Sequence, residues 1–244
     1  MTIPKVSDGY AEQKRHQILD AALEVSKSKP LHKITMKDIV RASGLSQGGV
    51  YLYFSQIEEV WLALATRFDT AIDFRQRFEE LRSSELGPSD GMREIFRFTA
   101  EELARSLESG YSKLAFEFNA IYASQAAWFI EQIESRQAVH PSYGYNYMFA
   151  EMLSMWQEWV KAGELQPLRP LEEILMLVQV TLAGMIREAT MEQYLAEAEV
   201  EIAPELEISR HIGPLMEGLH LSVMTLLGLP GQDHKQGVRD EHES

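Results

Sequence analysis

The residues best suited to chemistry in this chain of 244 residues lie in one short segment, SQGGVY at residues 46–51. Its hydroxyl, amide and phenol groups can hydrogen-bond phosphates and the edges of bases. Two adjacent glycines, Gly48 and Gly49, cost a helix about 2 kcal/mol relative to alanines, so a surface helix that carries them is expected to approach another molecule closely. The segment therefore predicts a helix that enters the major groove of DNA. The alternative is a glycine pair that ends one turn and begins another in an ordinary helical bundle.

Two capped helices are expected to position this segment. Thr35 and Asp38 form a capping-box pattern, with Asp in place of the usual Glu, at the start of a short helix. Gly44 can adopt the left-handed conformation that ends that helix, and Ser46 can cap the next one. Two short helices joined by a tight turn that contains glycine predict a helix-turn-helix.

Almost every other segment shows helical rather than alternating periodicity, which predicts an all-α protein. A first helix is expected over residues 11–27, and Ser55 and Glu58 form a capping box that opens a fourth. We place a domain boundary inside that fourth helix, near Ala65. The resulting division is an N-terminal domain of residues 1–64, a C-terminal domain of residues 65–230 and a polar, disordered tail of residues 231–244.

The charge of the chain is distributed unevenly. The 23 basic and 37 acidic residues give a net charge of −14, which taken alone argues against a nucleic-acid partner. Residues 1–54, however, contain eight basic and five acidic residues, so a basic head precedes a strongly acidic body. This asymmetry suggests that the two regions have different roles.

Several function classes are excluded or disfavoured by what the sequence lacks. The chain has no cysteine, which excludes disulfides, thiolate metal sites and cysteine nucleophiles. The seven histidines lack the spacing of a helical metal site, and phosphate-binding, dinucleotide-binding and serine-nucleophile motifs are missing, so we expect no metal, no cofactor and no enzymatic activity. We also expect no membrane segment, because we find neither a signal peptide nor an apolar run of about 18 residues, and we place the protein in the cytoplasm.

At residues 34–64, the segment ITMKDIVRASGLSQGGVYLYFSQIEEVWLAL resembles the DNA-binding region of TetR-family transcriptional regulators. The resemblance implies a three-helix DNA-binding domain with a helix-turn-helix, followed by a helical domain for ligand binding and dimerisation. It further implies a homodimer that binds a pseudo-palindromic operator in double-stranded DNA and is released by a small-molecule inducer.

The resemblance also implies a role for individual positions of the head. Lys37, Gln47, Gly48 and Tyr51 match positions that face base edges in the family. The positions that match phosphate-facing ones are Thr35, Ser46 and Tyr53, and Gly49 completes the predicted DNA surface. The sequence departs from the common pattern at Gln47, Gly49, Leu52 and Ile57, where Lys, Thr, His and Lys are frequent. Because these departures remove cations, we expect fewer phosphate contacts than in a typical member.

Aromatic and methionine residues are dense between residues 96 and 159, and they fit either a packed bundle core or a large apolar cavity. A cavity would bind a small lipophilic ligand. Three acidic residues lie near these aromatics in the sequence: Glu117, Glu151 and Glu158. They would either select a cationic ligand or form a solvated helix face. The predicted ligand-binding residues are Phe96, Phe118, Tyr122, Trp128, Phe149, Met152 and Trp156.

The last two predicted helices carry apolar faces that we expect to form the dimer interface, with Gly184 and Gly218 allowing close helix approach. The predicted interface residues are Val178, Leu182, Met185, Leu219, Val223 and Leu226. The alternative function at this stage is an all-α protein–protein interaction module without DNA contact, which the acidic body and the missing cations favour slightly.

Overall fold

A computed structural model describes residues 8–72, 74–122 and 144–230 of the chain, and these residues form helices but no strand. The all-α prediction is confirmed. Short 3₁₀ turns occupy Leu31–Lys33 and Pro204–Leu206. The α-helices are α1 (Asp8–Ser28), α2 (Met36–Ser43), α3 (Gln47–Tyr51), α4 (Ile57–Ala71), α5 (Phe74–Arg82), α6 (Pro88–Glu108), α7 (Tyr111–Tyr122), α8 (Gly144–Lys161), α9 (Leu171–Glu197) and α10 (Ile208–Leu227). We call α1–α4 the head and α5–α10 the body.

The caps predicted around α2 and α3 are present. Asp38 accepts hydrogen bonds from the backbone N–H and hydroxyl of Thr35, each at 2.8 Å, while the Thr35 hydroxyl accepts from the Asp38 backbone N–H at 3.4 Å. Gly44 ends α2 at a φ of 68°, a region that favours glycine. Ser46 caps α3 by accepting the Gly49 N–H at 3.1 Å. The chain is thus forced into two short helices with a tight turn between them.

The cap of α4 differs from the prediction in its acidic partner. The carboxylate of Glu59, not of Glu58, accepts the backbone N–H of Ser55 at 2.8 Å and its hydroxyl at 3.1 Å. Because α4 begins at Ile57, Glu59 is the residue whose side chain points back toward Ser55.

Helices α1–α4 enclose a head core whose centre is fully buried. Ile18, Ile39 and Val50 have no exposed surface, and Phe54 is also buried. Leu114 and Phe118 of α7 belong to the same buried cluster, so one helix of the body packs into the head core. The proposed boundary at residues 64 and 65 stays a prediction, and the tail of residues 231–244 lies outside the described residues.

The body core is a separate buried cluster to which α5, α6, α8, α9 and α10 contribute. Trp156 and Met92 lie at its centre with no exposed surface, and the Trp156 indole N–H lies 3.0 Å from the Met92 Sδ. Pro214 lies inside α10, which begins six residues earlier at Ile208.

Helix α9 contradicts the expectation that no segment is long and apolar enough to cross a membrane. An 18-residue window within Leu171–Glu197 has a mean hydropathy of 1.4, which meets that test by length and composition. In the fold, α9 packs against α6, α7, α8 and α10. Its apolar composition is therefore that of a helix that contributes one face to a protein core.

Candidate nucleic-acid interface and ligand site

Helix α3 presents one face to solvent and one to the head core. Gln47 and Gly48 are exposed, and Tyr51 is 43% exposed. On the opposite side Val50 and Phe54 are buried, as their apolar character predicts. The helix is thus anchored from behind and free to approach a DNA groove with its glycine-containing face.

The residues predicted to face phosphates are not equivalent. The Ser46 hydroxyl accepts one hydrogen bond from the backbone, which leaves its proton free to be donated to a phosphate oxygen. The Thr35 hydroxyl already donates its proton to Asp38. Lys29 binds the same carboxylate at 2.7 Å, and these hydrogen bonds hold the pKa of Asp38 well below its ordinary value. Thr35 therefore fixes the start of α2, and Lys37, exposed two residues farther along the chain, is the side chain free to reach DNA.

Two of the predicted DNA-binding residues are less accessible than the others. Gly49 is half-buried, and a Cβ at this position would lie 3.2 Å from the Ser46 Oγ. Tyr53 is half-buried and packs against the head core. A side chain at position 49 would therefore require the Ser46 hydroxyl that caps α3 to shift by a few tenths of an ångström.

Leu52 is a candidate DNA-contacting residue that the predicted set omitted. It directly follows α3 and is 76% exposed. An apolar side chain at a major-groove surface can contact the methyl group of thymine. The signal in the sequence was the departure from the common family residue at this position.

The positive charge of the head is limited. Among the described head residues, Lys14, Lys27, Lys29 and Arg67 bind other side chains, and Arg15 lies over the Phe54 ring at 4.6 Å. Among the described head cations, those with none of these ion-pair, hydrogen-bond or ring contacts are Lys33, Lys37 and Arg41. The two heads of a dimer would therefore carry about six such cations, which is the largest number that they could bring to DNA.

We expect a shallow salt dependence of operator binding. Six phosphate contacts at about 0.9 released counterions each predict a slope of log K against log salt no steeper than about −5. Fluorescence anisotropy with labelled operator DNA at several KCl concentrations measures this slope.

Adding a cation provides the matched variant for that measurement. Ile57→Lys places an ammonium at the start of α4, and in a dimer it should steepen the slope by about 2. The prediction is wrong if the unmodified protein has a slope as steep as that of ten contacts, or if Ile57→Lys leaves the slope unchanged.

The predicted ligand-binding residues do not form one site. Phe96, Met152 and Trp156 are buried in the body core, whereas Phe118 is buried in the head core. Phe149 packs against the body core from its edge, while Trp128 and the side chain of Tyr122 lie outside what the structure describes. The aromatic and methionine side chains of the body that the structure describes are used mainly for packing.

A cavity of about 350 Å³ lies instead where the head meets the body. Leucines from both parts line it, together with Lys113, Glu117 and Glu197. None of the predicted ligand-binding residues whose side chains the structure describes contributes to this lining. Of the three acids considered for a cationic ligand, Glu117 is at the cavity, whereas Glu151 and Glu158 bind Arg82 at 3.1 and 2.7 Å. That double contact raises the pKa of Arg82 and lowers the pKa of Glu158.

The structure places the predicted dimer-interface residues against the core of their own subunit, and their role in dimerisation stays a prediction. Val178, Leu182, Met185, Leu219 and Val223 are buried in the core of their own subunit, and Leu226 packs against it. The apolar periodicity correctly located a buried face on each helix, but that face packs within the subunit. A separate set of apolar side chains is exposed on the other side: Met176, Leu177, Val180 and Leu221.

Comparisons with known proteins agree with this geometry. The family model described as "Bacterial regulatory proteins, tetR family" matches residues 18–64. The chain is 30% identical over 202 residues to the HTH-type transcriptional regulator YfiR of Bacillus subtilis (strain 168), which covers 82% of this chain and 90% of YfiR.

Two solved structures share the fold at low sequence identity. A Rhodococcus sp. protein described as a TetR-family transcriptional regulator superposes with a TM-score of 0.57 at 14% identity, covering 87% of this chain and 99% of the other. NalD of Pseudomonas aeruginosa, the secondary repressor of the MexAB-OprM multidrug efflux pump, superposes with a TM-score of 0.54 at 16% identity, covering 85% and 96% of the two chains.

Proposed function

This chain belongs to the TetR family of bacterial transcriptional regulators, and on that premise we propose that it binds a pseudo-palindromic operator as a homodimer, represses transcription and is released by a small molecule. It is a DNA-binding regulator and not an enzyme. We propose the cytoplasm as its location, since that is where its DNA partner would be.

The observation that carries the DNA-binding proposal is the exposed face of α3. Gln47 and Tyr51 supply hydrogen-bonding groups at the two ends of the helix, and Gly48 between them has no side chain to hold the backbone away from base edges. Glutamine can pair bidentately with adenine in the major groove. The Thr35 cap of α2 and the Ser46 cap of α3 hold the helix-turn-helix in place before DNA binds, which reduces the entropy lost on binding.

Dimerisation is proposed to use the exposed face of α9 and α10. Met176, Val180 and Leu221 are 60%, 66% and 58% exposed, and α9 and α10 pack against each other. A group of large apolar side chains in solvent is expected to be covered by a partner. A two-fold axis would make the same face complementary to itself, and the pairing would set the two copies of α3 about 34 Å apart, one turn of DNA.

The ligand is proposed to be small and lipophilic. The four leucines at the cavity between head and body support an apolar ligand, although Phe96, Phe118, Phe149 and Trp156 of the aromatic residues first considered are packed elsewhere. Release requires a ligand that binds more tightly to an arrangement of the heads that does not fit DNA, and a coupling of about 1–3 kcal/mol is ordinary.

A mobility-shift assay with the DNA upstream of the protein's own gene tests DNA binding, with unrelated DNA as competitor. We expect a shift that resists competition, and we expect Tyr51→Ala to weaken it at least tenfold, since a hydrogen-bonding aromatic contact is lost at the surface of α3. Leu206→Ala is the control, because Leu206 is 72% exposed and lies in the body. A folded dimer that shifts neither this DNA nor any member of a randomised library would contradict the proposal and favour the interaction-module alternative.

A further inference from the structure

The cavity between head and body has walls from both parts of the molecule. The end of α1 and the first 3₁₀ turn supply Leu23 and Leu31, and the corner between α6 and α7 supplies Leu107 and Leu114. The last turns of α9 supply a further wall through Gln193, Ala196 and Glu197. Its volume of about 350 Å³ is within the range of small-molecule sites.

The charged side chains of the cavity wall that have no ion-pair partner in the described part of the chain are carboxylates. Both lysines of the wall are neutralised: Lys113 binds both carboxylate oxygens of Glu197 at 2.7 Å, and Lys27 binds Glu24 at 2.9 Å. Glu108 is exposed and has no ion pair within the described part of the chain. The carboxylate of Glu108 is therefore available to a cationic ligand.

Glu117 adds a second negative charge, and it forms no ion pair with any cation that the structure describes. One of its oxygens accepts the backbone N–H of Leu31 at 2.6 Å, and the other accepts the phenol O–H of Tyr194 at 2.6 Å. Both donors are neutral, so they hold the carboxylate in place without cancelling its charge. Burial and the neighbouring Glu117 raise the pKa of Tyr194, so the phenol keeps the proton that it donates.

We propose that this junction cavity binds an amphipathic organic amine, whose ammonium group lies beside Glu108 and Glu117 and whose apolar part lies against the four leucines. The inference deepens the proposed ligand response and rests on it for its regulatory meaning. A neutral lipophile would leave the carboxylates unpaired, and an anion would be repelled by them.

An occupant of this cavity would touch the head and the body at once. Glu117 on α7 already ties the body to Leu31 of the head through a hydrogen bond, and the ligand would lie beside that contact. Its affinity therefore depends on how the head is held against the body, and by linkage the operator affinity depends on the ligand.

Three probes that share one apolar body test the site on the full chain without DNA: 4-phenylbutylamine, 4-phenylbutyrate and 4-phenylbutanol, each measured by isothermal titration calorimetry at neutral pH. We expect the amine to bind once per chain and at least tenfold more tightly than the acid or the alcohol. Equal affinity for the three probes, or no binding of the amine, would overturn the proposal.

Two alanine-to-phenylalanine variants locate the site. Ala196 lines the cavity and Ala150 does not, and both are exposed on helices of the body. Ala196→Phe should fill the cavity and weaken amine binding at least tenfold, whereas Ala150→Phe should leave it unchanged. Equal effects of the two variants would place the amine elsewhere and overturn the proposal. These titrations contain no DNA, so they test amine binding independently of operator binding. If the protein fails to bind an operator, the amine proposal is still tested by these titrations.

Discussion

Replacing Gly48 with alanine is expected to weaken operator binding at least tenfold while leaving the protein folded. A Cβ at this position meets no protein atom within 4 Å, and Gly48 lies within α3, so the fold tolerates the methyl group. Alanine should even stabilise the helix by about 1 kcal/mol, since it is the better helix former. The methyl group points to solvent on the face proposed to contact base edges, where it holds the backbone off the DNA. Anisotropy with labelled operator measures the affinity, and thermal unfolding measures the stability.

The matched control for that variant is Gly87→Ala in the body. Gly87 also has nothing within 4 Å of a built Cβ, and its φ of −73° suits any residue. It should leave operator affinity unchanged. Unaltered binding by Gly48→Ala would show that α3 does not approach DNA closely and would contradict the proposed interface.

Replacing Val180 with glutamate is expected to separate the dimer and to lower operator affinity at least about 100-fold, because a monomer loses the effective concentration that the paired head provides. The side chain is 66% exposed in the subunit, so a charge there need not disturb the body core. In a two-fold interface the substitution occurs twice, which places two carboxylates within one apolar contact. Sedimentation velocity gives the oligomeric state, and circular dichroism checks the helix content.

Val200→Glu is the control for the interface, since Val200 is 49% exposed and lies beyond the end of α9. It should remain dimeric and bind the operator normally. If Val180→Glu stays a dimer, or if both variants dissociate equally, the exposed face of α9 and α10 is not the dimer interface.

The two capped helices of the head could be predicted because their determinants are local. Thr35 and Asp38 are three residues apart, and Ser46 and Gly49 are separated by the same distance, so each cap is formed within one turn. Gly44 provides the left-handed residue that ends α2 whatever surrounds it. The same local signals carry the resemblance to the family.

The faces of the body helices could not be assigned in this way. Val178 and Val180 are two residues apart on α9 and have similar polarity, yet one is fully buried and the other is 66% exposed. Periodicity shows that a helix has an apolar side, but it does not show whether that side meets its own subunit or another molecule. Only the packing of α9 against its neighbours decides which valine remains available for a partner.

The cavity depended on tertiary structure even more strongly. Glu117 meets Leu31 across 86 residues of sequence and Tyr194 across 77, and no local pattern connects these positions. The sequence by itself determined that the chain is helical, that the helices of its helix-turn-helix are capped and that its body helices are rich in apolar side chains. Contacts between distant segments decided where those apolar side chains pack and where a cavity remains between head and body. Burial depends on the whole arrangement of helices, and local sequence does not contain that information.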